Sequence, residues 1–342
     1  MSRATVHDLA RAAGVSLATV DRVLNRRGGV RAATIEKVEQ AVDRLGYRRD
    51  AAAAMLAKQR EYRLAFVIPT GANAFLASLA LEVRKLADVL RGERVFLSIV
   101  EVPPFDSEAL VEALGRLRDQ PLTGVAVVAT DHAPVRLAVS GLVASGLGVV
   151  TLVSDSPGSG RAHYVGIDNS AAGRTAASLM GRFLRGVNGR IAVVAGSMLL
   201  RDHVERRFGF EQVLRTEYLH LVALPAVEGH DDAAIAEAEL GAVLDRHRDI
   251  VGVYSLGAGN RGVLAALRKR GLSGAVCVIA HELTEHSRAA LADGSFAAIL
   301  CQDPGHEARS AVRILRALAD GLPFDAGQER IRIDIYMRDN VA

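Results

Sequence analysis

At 342 residues the chain is long enough for two or three domains and a sizeable core. Half of it is apolar, yet no apolar run approaches the roughly 18 residues of a membrane helix, and the opening MSRATVHD lacks the apolar stretch of an export signal. Both features predict a cytoplasmic chain with no membrane partner. Formal charge is unevenly spread: residues 1–63 hold 13 Lys and Arg against 7 Asp and Glu, and the rest holds 29 against 32. A basic head on a mildly acidic body is the asymmetry expected of a phosphate-binding module beside a separate partner domain.

Three short helices are predicted first. Thr5 is placed to cap the first, with Asp8 three residues on as a short capping box, and Val6, Leu9, Ala10 and Ala13 follow at helical spacing. Gly14 supplies a positive φ, and Ser16 caps a second helix from Leu17 to about Asn25 that turns Val20, Val23 and Leu24 inward. Helix, glycine turn, helix is the helix-turn-helix pattern. After Gly28 and Gly29, the residues Ile35, Val38, Val42 and Leu45 stripe a third helix that Gly46 ends. The second helix starts with Leu17, Ala18 and Thr19 and carries Arg22 one turn on. Small side chains followed by Arg suit a helix whose first turns enter the major groove, where Arg reaches guanine O6 and N7. The plainer alternative is a helical bundle with no nucleic-acid role, which leaves the basic charge unexplained.

Residues 48–61 read as a linker. Asp50 is placed to cap a helix from Ala51 to Lys58 whose large apolar side chains are Met55 and Leu56, and so short a helix is marginal in water when isolated. From Leu64 onward, strand-like runs (LAFVIP, VFLSIV, GVAVVA, GVVTLV, YVGIDN, then RIAVVAG, LVALPAV, IVGVYSL, AVCVIA, FAAILCQDP) alternate with amphipathic helices. Two runs of about five such units predict two doubly wound parallel-sheet lobes, with RIRIDIYM as an edge strand. Cys277 and Cys301 lie in apolar runs and read as buried free thiols.

Ligands of such sheets bind beyond the carboxyl ends of the strands. The polar and aromatic residues there include Asn73, Phe75, Asp131, His132, Ser154, Asp155, Asp168, Asn169, Arg201, Asp202, His203, Asn260, His281, Glu282, Gln302 and Asp303. That set suits a hydroxyl-rich small molecule. A competing reading is an NAD(P)-dependent oxidoreductase, because Gly257 to Gly262 form a G-x-G-x-x-G with an acid, Glu282, at the end of the next strand. The same glycines also serve a tight strand-to-helix turn, and they fall late in the second lobe. HELTEH, His281 to His286, misses the zinc-protease spacing by one residue, so no metal site is expected.

TVHDLARAAGVSLATVDRVLN, Thr5 to Asn25, closely resembles the DNA-binding head of the LacI/GalR family of bacterial repressors. Asp21 replaces the family's usual Ser, and Arg31 its small polar cap. YVGIDNSAAGRTAASLM is similar to the family's first crossover between lobes and LCQDP to its second. Asn73 and Phe75 fall on its first strand-helix turn, and Glu282 on a later acidic position. The resemblance covers nearly the full length and implies a head at 1–47, a hinge helix at 48–61 and an effector-binding and dimerisation core at 62–342. Within that core the N-terminal lobe takes about 62–166 and 303–324, and the C-terminal lobe about 167–302 and 325–342. It further implies a homodimer, without cofactor or catalysis, on a near-palindromic double-stranded operator. Thr5, Ser16, Leu17, Ala18, Thr19, Arg22 and Asn25 would contact DNA, with Ala53 and Leu56 of the hinge in the minor groove. A sugar, polyol or sugar derivative would bind between the lobes through Asn73, Phe75, Asp155, Arg201, Asn260, Glu282 and Gln302. Three departures bear on that pocket. The family's ligand-binding Arg falls on Val204, with Arg201, His203 or Arg206 as substitutes; Asp155 is offset from the usual position; and GAGNRG replaces the usual Asn-Asp pair.

Overall fold

The computed structural model describes residues 4–24, 29–47 and 60–341, in two compact units, Met1–Arg60 and Glu61–Ala342. In the first unit α1 (Val6–Ala13), α2 (Leu17–Leu24) and α3 (Ala32–Leu45) close around Leu9, Val20 and Val38, all fully buried. Both halves of the capping box between Thr5 and Asp8 are formed, and Gly14 and Gly46 take left-handed φ of 65° and 57°. Ser16 Oγ accepts from the Thr19 N–H at 3.2 Å, so a hydroxyl satisfies one of the free donors at the start of α2. Arg31, at the N-cap of α3, makes no side-chain cap. Two details differ from the periodicity. Leu45 is exposed and Ala41 takes the inner place on α3, and Val6 faces outward on the first turn of α1. Asn25 and the predicted hinge helix with Ala53 and Leu56 lie outside the described residues.

The second unit contains two sheets. The first holds β1 (Tyr62–Pro69), β2 (Val95–Val102), β3 (Gly124–Val127), β4 (Gly148–Leu152) and β5 (His163–Val165), all parallel, in the order β2-β1-β3-β4-β5. Successive side chains point to opposite faces. Leu64, Phe66 and Ile68 therefore meet α4 (Ala74–Leu90), while Ala65 and Val67 meet α5 (Ser107–Arg118) and α6 (Ala133–Ala144). The second sheet holds β6 (Gly189–Ala195), β7 (Leu221–Glu228), β8 (Ile250–Ser255), β9 (Cys277–His281), β10 (Ala298–Cys301) and β11 (Asp334–Tyr336). Its order is β7-β6-β8-β9-β10-β11, with β11 antiparallel at the edge and shorter than RIRIDIYM. Pro225, which has no N–H to give, sits in the other edge strand at a bulge between the pairs Ile191–Ala223 and Val193–Ala226.

This sheet is flanked by α7 (Asn169–Phe183) and α8 (Arg201–Glu217) on one face. On the other lie α9 (Ala233–Arg246), α10 (Asn260–Lys269) and α11 (Glu285–Ala292). The last helix, α12 (Pro304–Asp320), returns to the first sheet, packing on β3, β4 and α4. Cys301 is buried and Cys277 half-buried, and both are free. Among the described residues, no helix is long and apolar enough to cross a membrane. In both sheets the chain reverses its order beside the first strand, between β1 and β3 and between β6 and β8. Sheets of this order bind ligands at that switch point, outside the carboxyl ends of the strands.

Candidate functional site

The two switch points face one another across a cleft of about 700 Å³. From the first lobe come Asn73 and Phe75 after β1, Phe105 and Asp106 after β2, Thr130 after β3, and Val153 and Ser154 after β4. From the second come Asp202, His203 and Arg206 on α8, Asp231 after β7, Gly257 and Ala258 after β8, Glu282 after β9 and Gln302 after β10. The backbone here is unusual. Six non-glycine residues among those described have positive φ, and four of them line the cleft: Phe105 (59°), Val153 (62°), Asp231 (57°) and Glu282 (68°). Such conformations cost free energy, least readily borne by a β-branched residue such as Val153, and they persist only where the surrounding structure holds them in place.

Arg206 forms the floor. It is 1% exposed, donates from Nε to Asn169 Oδ1 at 2.9 Å and from Nη1 to the Leu256 carbonyl at 2.6 Å, and keeps Nη2 unspent. Asn169 in turn donates to the Tyr164 hydroxyl at 2.9 Å, which donates to the Val153 carbonyl at 2.8 Å. A chain of hydrogen bonds thus runs from the end of β4, through the connection between lobes, to the end of β8. Glycines let α8 approach closely enough to bring the guanidinium here. A Cβ at Gly173 on α7 would run into the Arg206 carbonyl, and one at Gly209 on α8 into the Ser170 carbonyl.

Buried acids surround that floor. Burial pushes the Glu282 carboxyl up to about 7, against the pull of Arg206, and its Oε1 accepts from Gln302 Nε2 at 3.1 Å. Burial likewise raises Asp231, and raises Glu307, on the first turn of α12, well above the ordinary carboxyl range. Neither oxygen of Glu307 accepts a hydrogen bond. His281 is fully buried against the Tyr254 hydroxyl, 2.9 Å from Nε2, and burial holds it well below its ordinary value and therefore neutral.

Contacts between the lobes rim the cleft. Asn73 Nδ2 donates to Asp231 Oδ2 at 2.8 Å, Arg201 Nη1 donates to Asp131 Oδ2 at 3.2 Å, and the rings of Phe105 and His230 meet edge to face at 5.9 Å.

Of the residues singled out in the sequence, the cleft brings together Asn73, Phe75, Ser154, Asp202, His203, Glu282 and Gln302. Asn260 lines an adjoining cavity shared with Asn73, Phe75, Asp231 and Glu282, and its Nδ2 donates to the His281 carbonyl at 2.7 Å. Asp155 and Arg201 are not brought to the cleft. The Asp155 carboxylate is saturated by Arg161, Thr151 and the Ser156 N–H, and Arg201 is engaged by Glu205 and Asp131 at the rim. Asp168 and Asp303 cap α7 and α12, and Asn169 acts one layer beneath, through Arg206.

Sequence reasoning did not single out Asp231, although it follows a strand. Its neighbour Asp232 is the helix cap, accepting from the Ala234 and Ile235 N–H groups of α9. Each glycine of the Gly257 to Gly262 turn has a packing reason. A Cβ at Gly257 would strike His203 Nε2, Gly259 has φ of 103°, and a Cβ at Gly262 would strike the Ala233 carbonyl on α9.

In the amino-terminal unit, α2 buries Val20 and leaves Leu17, Ala18 and Arg22 exposed, with Ser16 exposed just before it and Thr19 half-buried. Thr5 stands at the start of α1. Ala18 and Arg22 thus stand clear of the three-helix core.

Residues 5–50 match the pattern described as bacterial regulatory proteins, lacI family, and residues 64–323 match the periplasmic binding protein domain. Catabolite control protein A of Streptococcus mutans is 31% identical over 200 residues, 57% of this chain and 55% of that protein. The match thus spans little more than half of that relative. Among solved structures, GanP, a glucose-galactose binding protein from Geobacillus stearothermophilus, superposes with a TM-score of 0.75 at 19% identity, over 82% of this chain and 99% of its own. A solute binding protein from Burkholderia graminis in complex with D-arabinose gives 0.74 at 24% identity, over 86% and 98%. At such identities the likeness is one of fold, two parallel-sheet lobes with a cleft between them.

Proposed function

The chain belongs to the lacI family of bacterial regulatory proteins, and we propose that it is a DNA-binding transcriptional regulator controlled by a small effector. In this reading it is a cytoplasmic, homodimeric repressor of a carbohydrate-use operon, and its effector is a hydroxyl-rich molecule held between the lobes. The observation that carries the reading is the cleft itself. Unsatisfied buried polar atoms and strained backbone converge from both switch points, on a chain that also bears a basic helix-turn-helix head.

Two heads spaced by the dimer would set their α2 helices in successive major grooves, with Arg22 on a base edge. Residues 48–61 would order between them and spread the minor groove with Leu56 beside Ala53. Asn73, Phe75, Asn260, Glu282 and Gln302 would hold the effector, with Arg206 and Asp231 taking the places given to Arg201 and Asp155. A ligand shifts operator affinity only by its different affinity for the two lobe arrangements. The contacts from Asn73 to Asp231 and from Arg201 to Asp131 join the two lobes, and they support such a coupling.

The test is binding of the purified chain across its own promoter region, with random DNA as control and a salt titration. A protected near-palindrome, bound well above random DNA with a steep salt slope, is expected. Binding no tighter than to random DNA at any salt would overturn the reading.

A further inference from the structure

The cleft is short of hydrogen-bond donors. Asp202 and Gln302, each 4% exposed, and Asp231, 8% exposed, all bury an oxygen (Oδ1, Oε1 and Oδ1) that accepts nothing from the protein. Among the described lining residues the buried donor left unspent is Arg206 Nη2, and Ser154 Oγ can serve either way. The charge is lopsided in the same direction. Asp106, Asp202, Asp231 and Glu282 line the cavity, and Glu307 is buried within the same field, against the single guanidinium of Arg206 and the imidazole of His203. Arg206 Nη2 pairs with Asp202 Oδ2 at 3.9 Å, too far for a hydrogen bond, and Asp202 Oδ1 is left without a donor. Buried carboxylates without a counter-charge are costly, and Asp231, Glu282 and Glu307 hold their protons above the ordinary range in consequence. The opposite wall is apolar, with Phe75, Leu76 and Phe105 offering faces to ring C–H groups or to a cation.

We propose that the cleft takes a cationic polyol, an amino sugar or aminopolyol whose protonated amine sits against Asp202 and Asp231 while its hydroxyls meet Gln302, Ser154 and Arg206. This deepens the effector reading above and rests on it. An ammonium brings three donors and the missing charge together, and hydrogen bonds between charged partners are the strong ones. A neutral sugar supplies donors but leaves the carboxylates uncompensated. A sugar acid brings a further carboxyl group to a cavity already lined by four of them.

The experiment is calorimetric titration and thermal shift of the full chain with matched pairs: glucosamine and glucose, galactosamine and galactose, aminodeoxysorbitol and sorbitol. N-acetylglucosamine serves as the neutral control and gluconate as the anionic one. At least one amine is expected to bind about tenfold or more tighter than its neutral partner, and Asp202→Asn to narrow that preference to about threefold or less. Asp231→Asn repeats the comparison should the first variant not fold. Neutral or anionic probes binding as tightly as the amines would overturn the amine assignment and leave the effector cleft standing. If no member of any pair binds, both fall. If an amine binds as expected but leaves affinity for the promoter DNA unchanged, the assignment holds and the regulatory reading is what fails.

Discussion

Asn73 holds both lobes with one amide: its Oδ1 accepts from the Phe75 and Leu76 N–H groups at 3.0 and 3.1 Å, and its Nδ2 donates to Asp231 Oδ2 at 2.8 Å. Replacing it separates the two tasks. Asn73→Asp keeps a good cap but sets a carboxylate against Asp231, which burial already makes reluctant to ionise. The lobes are expected to part, raising the radius of gyration in X-ray scattering and weakening effector binding. Asn73→Ala additionally loses the cap, for about 1 kcal/mol of stability. An unchanged scattering curve for Asn73→Asp would show that this contact does not hold the lobes.

The crossing of α7 over α8 tolerates no side chain. Gly173→Ala is expected to lower stability by about 1–3 kcal/mol, and because the obstructed atom is the Arg206 carbonyl, ligand affinity should fall with it. Gly115, exposed in α5 with nothing near its Cβ, provides the contrast. Gly115→Ala is expected to be neutral or to stabilise by about 0.5–1 kcal/mol. Chemical denaturation of the two variants, read side by side, checks both statements.

Glu282 gives the folded core a proton that the unfolded chain lacks between its ordinary value of 4.5 and the folded value of about 7. A raised carboxyl value means that the stabilisation is full below the lower figure and is lost as pH rises through the upper one. His281, kept neutral by burial, works the other way below its ordinary 6.5, so the wild-type profile mixes the two. Glu282→Gln removes the first alone. The stability of the variant relative to wild type should therefore climb between about pH 5 and pH 8, approaching about 3 kcal/mol. A difference that stays flat across this range would refute the assignment.

Arg22→Ala is expected to weaken operator binding by about 1–3 kcal/mol and random-DNA binding far less, if the side chain reads a base edge. Equal loss on both would make it a phosphate contact.

The alternation of strands and helices was legible because buried parallel strands read as apolar runs and the helices between them as amphipathic ones, and the twin lobes followed from counting. Glu282 and Gln302 were legible because each follows directly on a strand, and Asn73 because it lies in the turn between β1 and α4. Arg206 was not, since it lies in the second turn of α8, six residues past the cleft-side cap region at Leu200, and reaches the floor through a close helix crossing. Gly209 carried the clue: a glycine inside a helical run costs stability unless a neighbour needs the space. Asp155 satisfied every positional rule and was captured by Arg161, six residues further on, a pairing that strand-end reasoning does not weigh. Leu45 followed the helical stripe of α3 yet faces water, because the bundle is too small to cover its last turn.

The return of α12 to the first sheet sets the order in which the molecule can be made. Leu315 and Leu318 press on the strand backbones at Gly124 and Gly148, closing a face that β1, β3 and β4 leave bare. Those leucines emerge from the ribosome only after β6 to β10 of the second lobe, so the first lobe waits half-wrapped while most of its successor is synthesised. A message cut short before Pro304 would therefore leave β3 and β4 with an apolar face in water, so the first lobe is completed only when nearly the whole chain has been made.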